Sequence, residues 1–283
     1  MTPQKLFDAG LKKIGLVPVN SHTNSDQYKD FIKIVYLPEG YNIRVDFANY
    51  ITERPSLFFV SPNQFLQIES FGTKPGHLIF YNRDFYCIQI HDEEVACDGL
   101  LFNNIGNIPM TSISDEEAAF IDYLFVQIGD ELDLSETSHE EMIRTYLKQL
   151  LIKSTRFWKK QHLDKTVVQQ NGDLEFFRRF TLLVEKHYKE KHSVADYADL
   201  LQMAAKTLTH RFKRLNLPQP NEVIKNRLIL EAKRLLVHTQ MSAKEIAYDL
   251  GYEDPAYFSR LFQIKTGETP SGFRAKFLAT EMQ

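Results

Sequence analysis

Nine histidines and two cysteines are the residues from which this 283-residue chain could build a metal site or a thiol nucleophile. In the first hundred positions His22, His77 and His91 are scattered and form no His-X-His pair, so no metal is expected. Cys87 and Cys97 have no Cys-X-X-Cys spacing. Asp92, Glu93, Glu94 and Asp98 surround them with negative charge, whereas a reactive thiolate wants basic neighbours. They read as reduced, structural thiols. The chain has no Gly-X-Ser-X-Gly, His-Glu-X-X-His, Walker loop or Gly-X-Gly-X-X-Gly, so neither catalytic residues nor a cofactor are expected.

A different chemistry is written twice toward the C-terminus. Leu208-Thr-His-Arg-Phe212 matches Phe258-Ser-Arg-Leu-Phe262 at an offset of 50, and Pro220 matches Pro270. Ser193, Ala198 and Leu201 match Ser242, Ala247 and Leu250 at an offset of 49, so the second copy has one extra residue in its turn. Each copy has the plan of a helix-turn-helix, a short helix and a turn followed by a helix able to enter the major groove of DNA. In the second copy Ser242 can cap a helix over Ala243 to Leu250, Gly251 suits a left-handed ending, and Asp254 with Pro255 starts the next helix. The first copy is less explicit: Ala204 stands where a capping Ser is expected and no Gly marks the turn. Tyr197, Leu201, Leu208 and Phe212 supply its core. A helix over Asn221 to His238 is long enough to hold the two units so that they read adjacent turns, about 34 Å apart.

Charge supports this division. From Asp173 onward the chain carries 18 Lys and Arg against 14 Asp and Glu, and before it 16 against 23, which fits DNA contact by one end only.

Ser242-Ala-Lys-Glu-Ile-Ala-Tyr-Asp-Leu-Gly-Tyr252, then Asp254-Pro-Ala-Tyr-Phe-Ser-Arg-Leu-Phe262, Gly267, Thr269-Pro270-Ser271 and Phe273-Arg274 resemble the signature of the AraC/XylS-type transcription regulators. Arg227, Ala232 and Leu235-Leu236 look like that family's connecting helix. The resemblance covers residues 174 to 278 and implies a sequence-specific DNA-binding regulator of transcription. It places Lys206, Thr209 and His210 of the first unit, and Pro255, Ala256, Tyr257, Ser259 and Arg260 of the second, in the groove. Arg260 can pair with guanine, Lys206 and His210 can donate to purine acceptors, and Ala256 and Tyr257 can meet a thymine methyl. Lys213, Arg214 and Lys265 are expected to reach phosphates.

These helices need a front domain to present them. Phe31–Tyr36, Ile43–Phe47, Ser56–Val60, Phe65–Ile68, His77–Phe80 and Phe85–Ile90 read as short strands punctuated by Pro and Gly, which predicts an antiparallel β-barrel over about 25–110. Gly76 to Phe102 looks like the cupin-type sensing barrels common in the family. A helical hairpin follows over about 114–162, opened by a Ser114/Glu117 capping box. The fold expected is therefore two-domain: a cupin-like antiparallel β-barrel with a helical hairpin at 1–165, a linker at 166–173, and an all-α domain with two helix-turn-helix units at 174–283.

The stripe that includes Met142, Tyr146, Leu150 and Phe157 could pack on the barrel of its own chain or pair two chains, and a homodimer through these residues is expected. The barrel is expected to bind a small-molecule effector, with Arg44, Arg54 and Arg83 as the polar groups available. RNA polymerase is a further partner considered. With no apolar run of membrane-spanning length and no secretory start, a cytoplasmic location is expected. The rival reading is a DNA-repair methyl acceptor or cupin-type enzyme fused to a DNA-binding module.

Overall fold

The computed structural model describes residues 5–20, 23, 26–62, 64–86, 101–102, 110–134, 137–162, 171–214 and 217–281. They fall into two compact units, one within residues 1–171 and the other within 172–283. His22, His91, Cys87 and Cys97 lie outside the described residues, as does most of the expected linker; its last three residues already belong to a helix. No described helix is long and apolar enough to cross a membrane.

The front unit is built from β1 (Lys5–Ala9), β2 (Lys12–Pro18), β3 (Ile32–Leu37), β4 (Asn42–Val45), β5 (Ala48–Ile51), β6 (Ser56–Val60), β7 (Leu66–Ser70), β8 (His77–Tyr81) and β9 (Met110–Ser112). One antiparallel sheet has the order β1-β2-β8-β3-β6-β9 and a second the order β5-β4-β7. Val35, Phe58 and Leu78 of the first share a buried core with Ile43, Val45 and Ile68 of the second. Alternation along β3 sends Val35 and Leu37 into that core and Tyr36 to the opposite face, where its ring lies 5.6 Å from Phe125. Both faces of β3 are covered, which is why its six residues are all buried.

That second cover is the hairpin of α1 (Asp115–Asp133) and α2 (His139–His162). The Ser114/Glu117 capping box forms: the Glu117 amide donates to Ser114 Oγ at 3.3 Å and the Ser114 amide to Glu117 Oε2 at 3.2 Å. Lys5 ties α1 to β1, donating to the Gly129 carbonyl at 3.0 Å and pairing with Asp133 at 2.6 Å.

Three expectations change here. The front domain forms two antiparallel sheets that start at β1 and β2, well before residue 25, and Phe85 lies in a turn that Tyr86 follows, with the rest of the expected 85–90 strand outside the described residues. Of the proposed pairing residues, Leu150 is fully buried and Phe157 is 8% exposed, so they are spent on packing within their own chain. Met142 is exposed and Tyr146 half-buried, its hydroxyl donating to Gln127 of α1 at 3.2 Å, while Tyr123 and Val126 of α1 are also exposed. Among the effector candidates, Arg54 and Arg83 are exposed, and Arg44 alternates with the inward Ile43 and Val45, hydrogen-bonding Gln67 on the far face. The cation that does share the inward side of β3 is Lys33, which donates to the Tyr28 and Phe31 carbonyls at 3.0 Å. An apolar strand gave no hint that this lysine turns inward.

Candidate nucleic-acid interface

The second unit comprises α3 (Asn171–His187), α4 (Val194–Leu200), α5 (Ala205–Arg214), α6 (Pro220–His238), α7 (Ala243–Asp249), α8 (Pro255–Thr266) and α9 (Pro270–Glu281). α4–α5 and α7–α8 are the two repeat copies. Each opens with a capping box: the Ser193 amide donates to Asp196 Oδ2 at 2.9 Å and the Ser242 amide to Glu245 Oε2 at 2.7 Å. The returned hydrogen bonds hold both carboxyls below their usual range, through the Ser193 hydroxyl first at Asp196 and the Ser242 backbone first at Glu245.

The two turns are the same motif. The Met203 amide donates to the Ala198 carbonyl at 3.0 Å, as Tyr252 does to Ala247 at 2.9 Å, and the Gln202 amide donates to Asp199, as Gly251 does to Tyr248, both at 3.0 Å. Gly251 takes the left-handed position at φ 79°, and Gln202 takes it in the first copy at φ 55°. The missing glycine therefore did not prevent the turn. Asp254 caps α8 by accepting from the Ala256 amide at 2.8 Å, with Pro255 at the first helical position.

Both copies dock on α6, whose buried side includes Ile224, Leu228, Ala232 and Leu236. Arg227 anchors α6 to α3: its Nε donates to Glu185, its Nη1 to Glu231 at 2.9 Å, and the Tyr188 ring lies 3.9 Å from its guanidinium carbon. Burial opposes its charge, but the two carboxylates prevail and hold its pKa above the ordinary value. At the other end of α6, Arg274 of α9 donates to the carbonyls of Leu236 at 2.7 Å, Met241 at 2.5 Å and Thr239 at 3.3 Å. The two helix-turn-helix copies also touch directly, through the segment 188–193 and residues 249–254: Lys189 Nζ meets Asp249 Oδ2 at 2.7 Å and the His192 ring lies 4.7 Å from that of Tyr252.

Leu208 and Phe212 are the buried side of α5, leaving Lys206, Thr209, His210, Lys213 and Arg214 exposed. Phe258, Leu261 and Phe262 are the buried side of α8, leaving Ala256, Tyr257 and Arg260 exposed, with Pro255 and Ser259 half-buried. Neither helix contains an acidic residue. Thr209 and Ser259 donate their hydroxyls to carbonyls one turn back, at 3.0 and 2.9 Å. Lys265 is corrected: its side chain is 19% exposed and ion-paired with Glu222, so it fastens α8 to the start of α6 and does not extend toward solvent.

The helix-turn-helix domain model matches residues 197–276, the span over which this duplicated geometry is built. Over this span the C-terminal unit is similar to the helix-turn-helix modules of transcription regulators. The similarity extends to curated relatives. The chain is 31% identical over 96 residues to the HTH-type transcriptional regulator ExsA of Pseudomonas aeruginosa, covering 34% of each protein. It is 27% identical over 150 residues to the HTH-type transcriptional activator RhaS of Escherichia coli, covering 52% of this chain and 50% of RhaS. Over 110 residues it is 29% identical to the bifunctional transcriptional activator/DNA repair enzyme AdaA of Bacillus subtilis, covering 39% of this chain and 52% of AdaA. The chain spans about half or less of the length of the curated relatives it matches.

In this helix-turn-helix module one exposed polar group went unnoticed in the sequence. Gln263 lies three residues beyond Arg260 on the exposed side of α8. The i, i+3 spacing from Arg260 was the available signal.

Proposed function

We propose that the chain is a sequence-specific regulator of transcription that reads double-stranded DNA through α5 and α8 in adjacent major-groove turns. The observation that carries this is the duplicated helix-turn-helix, with two acid-free helices that bury Leu208, Phe212, Phe258 and Phe262 and expose Lys206, Thr209, His210, Tyr257 and Arg260. Arg260 pairs with guanine, Gln263 with adenine, Lys206 and His210 with purine acceptors. Thr209, Pro255, Ala256, Tyr257 and Ser259 complete the groove-facing surface, while Lys213 and Arg214 neutralise phosphates. Selection of bound duplexes from a random pool tests the reading: an enriched two-part site supports it, and uniform binding to all sequences defeats it.

The front unit, in the same reading, pairs two copies and binds a small molecule that shifts DNA affinity. The pairing face is exposed Tyr123, Val126 and Met142, in place of the buried Leu150 and Phe157. Sedimentation of Val126→Asp beside the unaltered chain tests it, since a charge at a shared apolar face should leave monomers. No catalytic reaction is assigned: alkylated DNA should leave Cys87 and Cys97 unmodified. RNA polymerase is the partner through which a bound regulator in the cytoplasm acts.

A further inference from the structure

The two copies of the helix-turn-helix supply their own control experiment. They make the same turn with the same pair of hydrogen bonds and the same left-handed residue, yet that residue is Gln202 in one and Gly251 in the other. A side chain is thus compatible with the turn itself. What differs is the neighbour. A methyl group at Gly251 would overlap the Lys189 carbonyl oxygen and would meet the His192 ring at 3.4 Å. Glycine at 251 serves the close approach of the segment joining α3 to α4, which belongs to the first unit, onto the turn of the second.

We infer that this contact is a clamp which fixes the rotation and distance between α5 and α8, making Lys189, His192 and Gly251 positioning residues for the spacing between the two halves of the DNA site. The inference rests on the reading of α5 and α8 as the groove-entering helices. The Lys189–Asp249 pair is half-exposed and by itself weak. The backbone approach at Gly251 and the His192–Tyr252 ring contact add shape that an ion pair lacks. Beside the clamp is a cleft of about 260 Å³ whose lining includes His192, Lys225, Leu228, Tyr252, Tyr257 and Leu261. A cleft therefore opens beside the clamp at the junction between the two copies, and without the clamp they remain joined through their packing on α6.

DNA makes the consequence measurable. One added base pair displaces the second half-site by about 3.4 Å and rotates it by about 35°, from the repeat of 10 to 10.5 base pairs per turn. A clamped pair of helices cannot follow both changes, whereas a loosened pair follows them in part.

The test uses the full chain and a duplex carrying the selected two-part site, with versions whose halves are one base pair closer and one farther apart. The unaltered chain is expected to bind the shifted sites about tenfold more weakly, a difference of about 1.4 kcal/mol. Gly251→Ala and the double variant Lys189→Ala/His192→Ala should reduce that ratio to about threefold or less while binding a single half-site as before. The double variant leaves the backbone of both turns untouched, so it decides the matter if Gly251→Ala does not fold. Gln202→Gly, the converse change in the first copy, should keep the full ratio. Folded variants that discriminate spacing as sharply as the unaltered chain overturn the clamp, as does an unaltered chain indifferent to spacing. A random-pool selection that yields no site overturns the functional reading itself, and the inference with it.

Discussion

The Nε of Arg227 donates to both carboxylate oxygens of Glu185, at 2.8 and 2.9 Å, across the boundary between α6 and α3. This pair places the first unit on the connecting helix. Glu185→Ala leaves a buried guanidinium with Glu231 as its remaining carboxylate and should cost about 3 kcal/mol, the lower end for a broken buried pair, since Glu185 itself is partly exposed. Hydrogen exchange of the α3 and α6 amides measures it; unchanged protection would show that Glu231 suffices.

Arg260→Ala should weaken the selected site by about 1 to 3 kcal/mol and relax preference at one base position. Lys213→Ala should weaken all sequences alike and lower the salt slope by about 1. Anisotropy titrations on specific and random duplexes separate the two. Equal losses on both duplexes for both variants would remove the assignment of base and phosphate roles.

His77 lies between the first sheet and α1, with its ring 5.8 Å from Phe125. Burial lowers its pKa from the ordinary 6.5, against the opposing charge of Asp122. The unfolded chain therefore takes up this proton at a higher pH than the folded one. Stability from the neutral imidazole is complete above pH 6.5 and is lost as pH falls toward and through the lowered folded value. The front unit should melt at lower temperature as pH falls below 6.5, and His77→Gln should flatten that dependence. Parallel slopes for the two proteins would assign the loss to other groups.

Gln202 occupies the left-handed region at φ 55°, which costs a residue bearing a Cβ about 1 kcal/mol or more. Gln202→Gly should relieve this at some cost in chain entropy, for a net gain of about 0.5 kcal/mol, while Gln202→Val should lose about 1 kcal/mol or more. Denaturant midpoints give both signs. A loss with glycine would mean that the Gln202 side chain contributes more than its backbone strain.

Residues that act on neighbours three or four positions away were legible. Ser114 with Glu117, Ser242, and Asp254 with Pro255 name helix starts because a cap is completed within one turn, and the structure places all three as read. The repeat was legible for the same reason: Leu208 and Phe212, like Phe258 and Phe262, declare a buried side by helical spacing alone. The partner of each surface was not. β2 pairs with β8, setting Leu16 opposite Ile79, and no local pattern in Lys12–Pro18 points to a strand so far along the chain. Phe157 has the same side chain whether it meets a second chain or, as here, its own unit, and Lys265 is equally basic whether it faces phosphate or Glu222. Gly251 reads as a helix ending in the sequence, and only the carbonyl of Lys189 resting against it explains why the other copy can use glutamine. Local periodicity and capping depend on interactions that the sequence carries side by side, so the sequence by itself determined the helices, their caps and the duplicated helix-turn-helix. Which surfaces meet depends on the packing of distant segments, so the burial of the hairpin, the inward Lys33 and the contact between the two copies were decided by the tertiary structure.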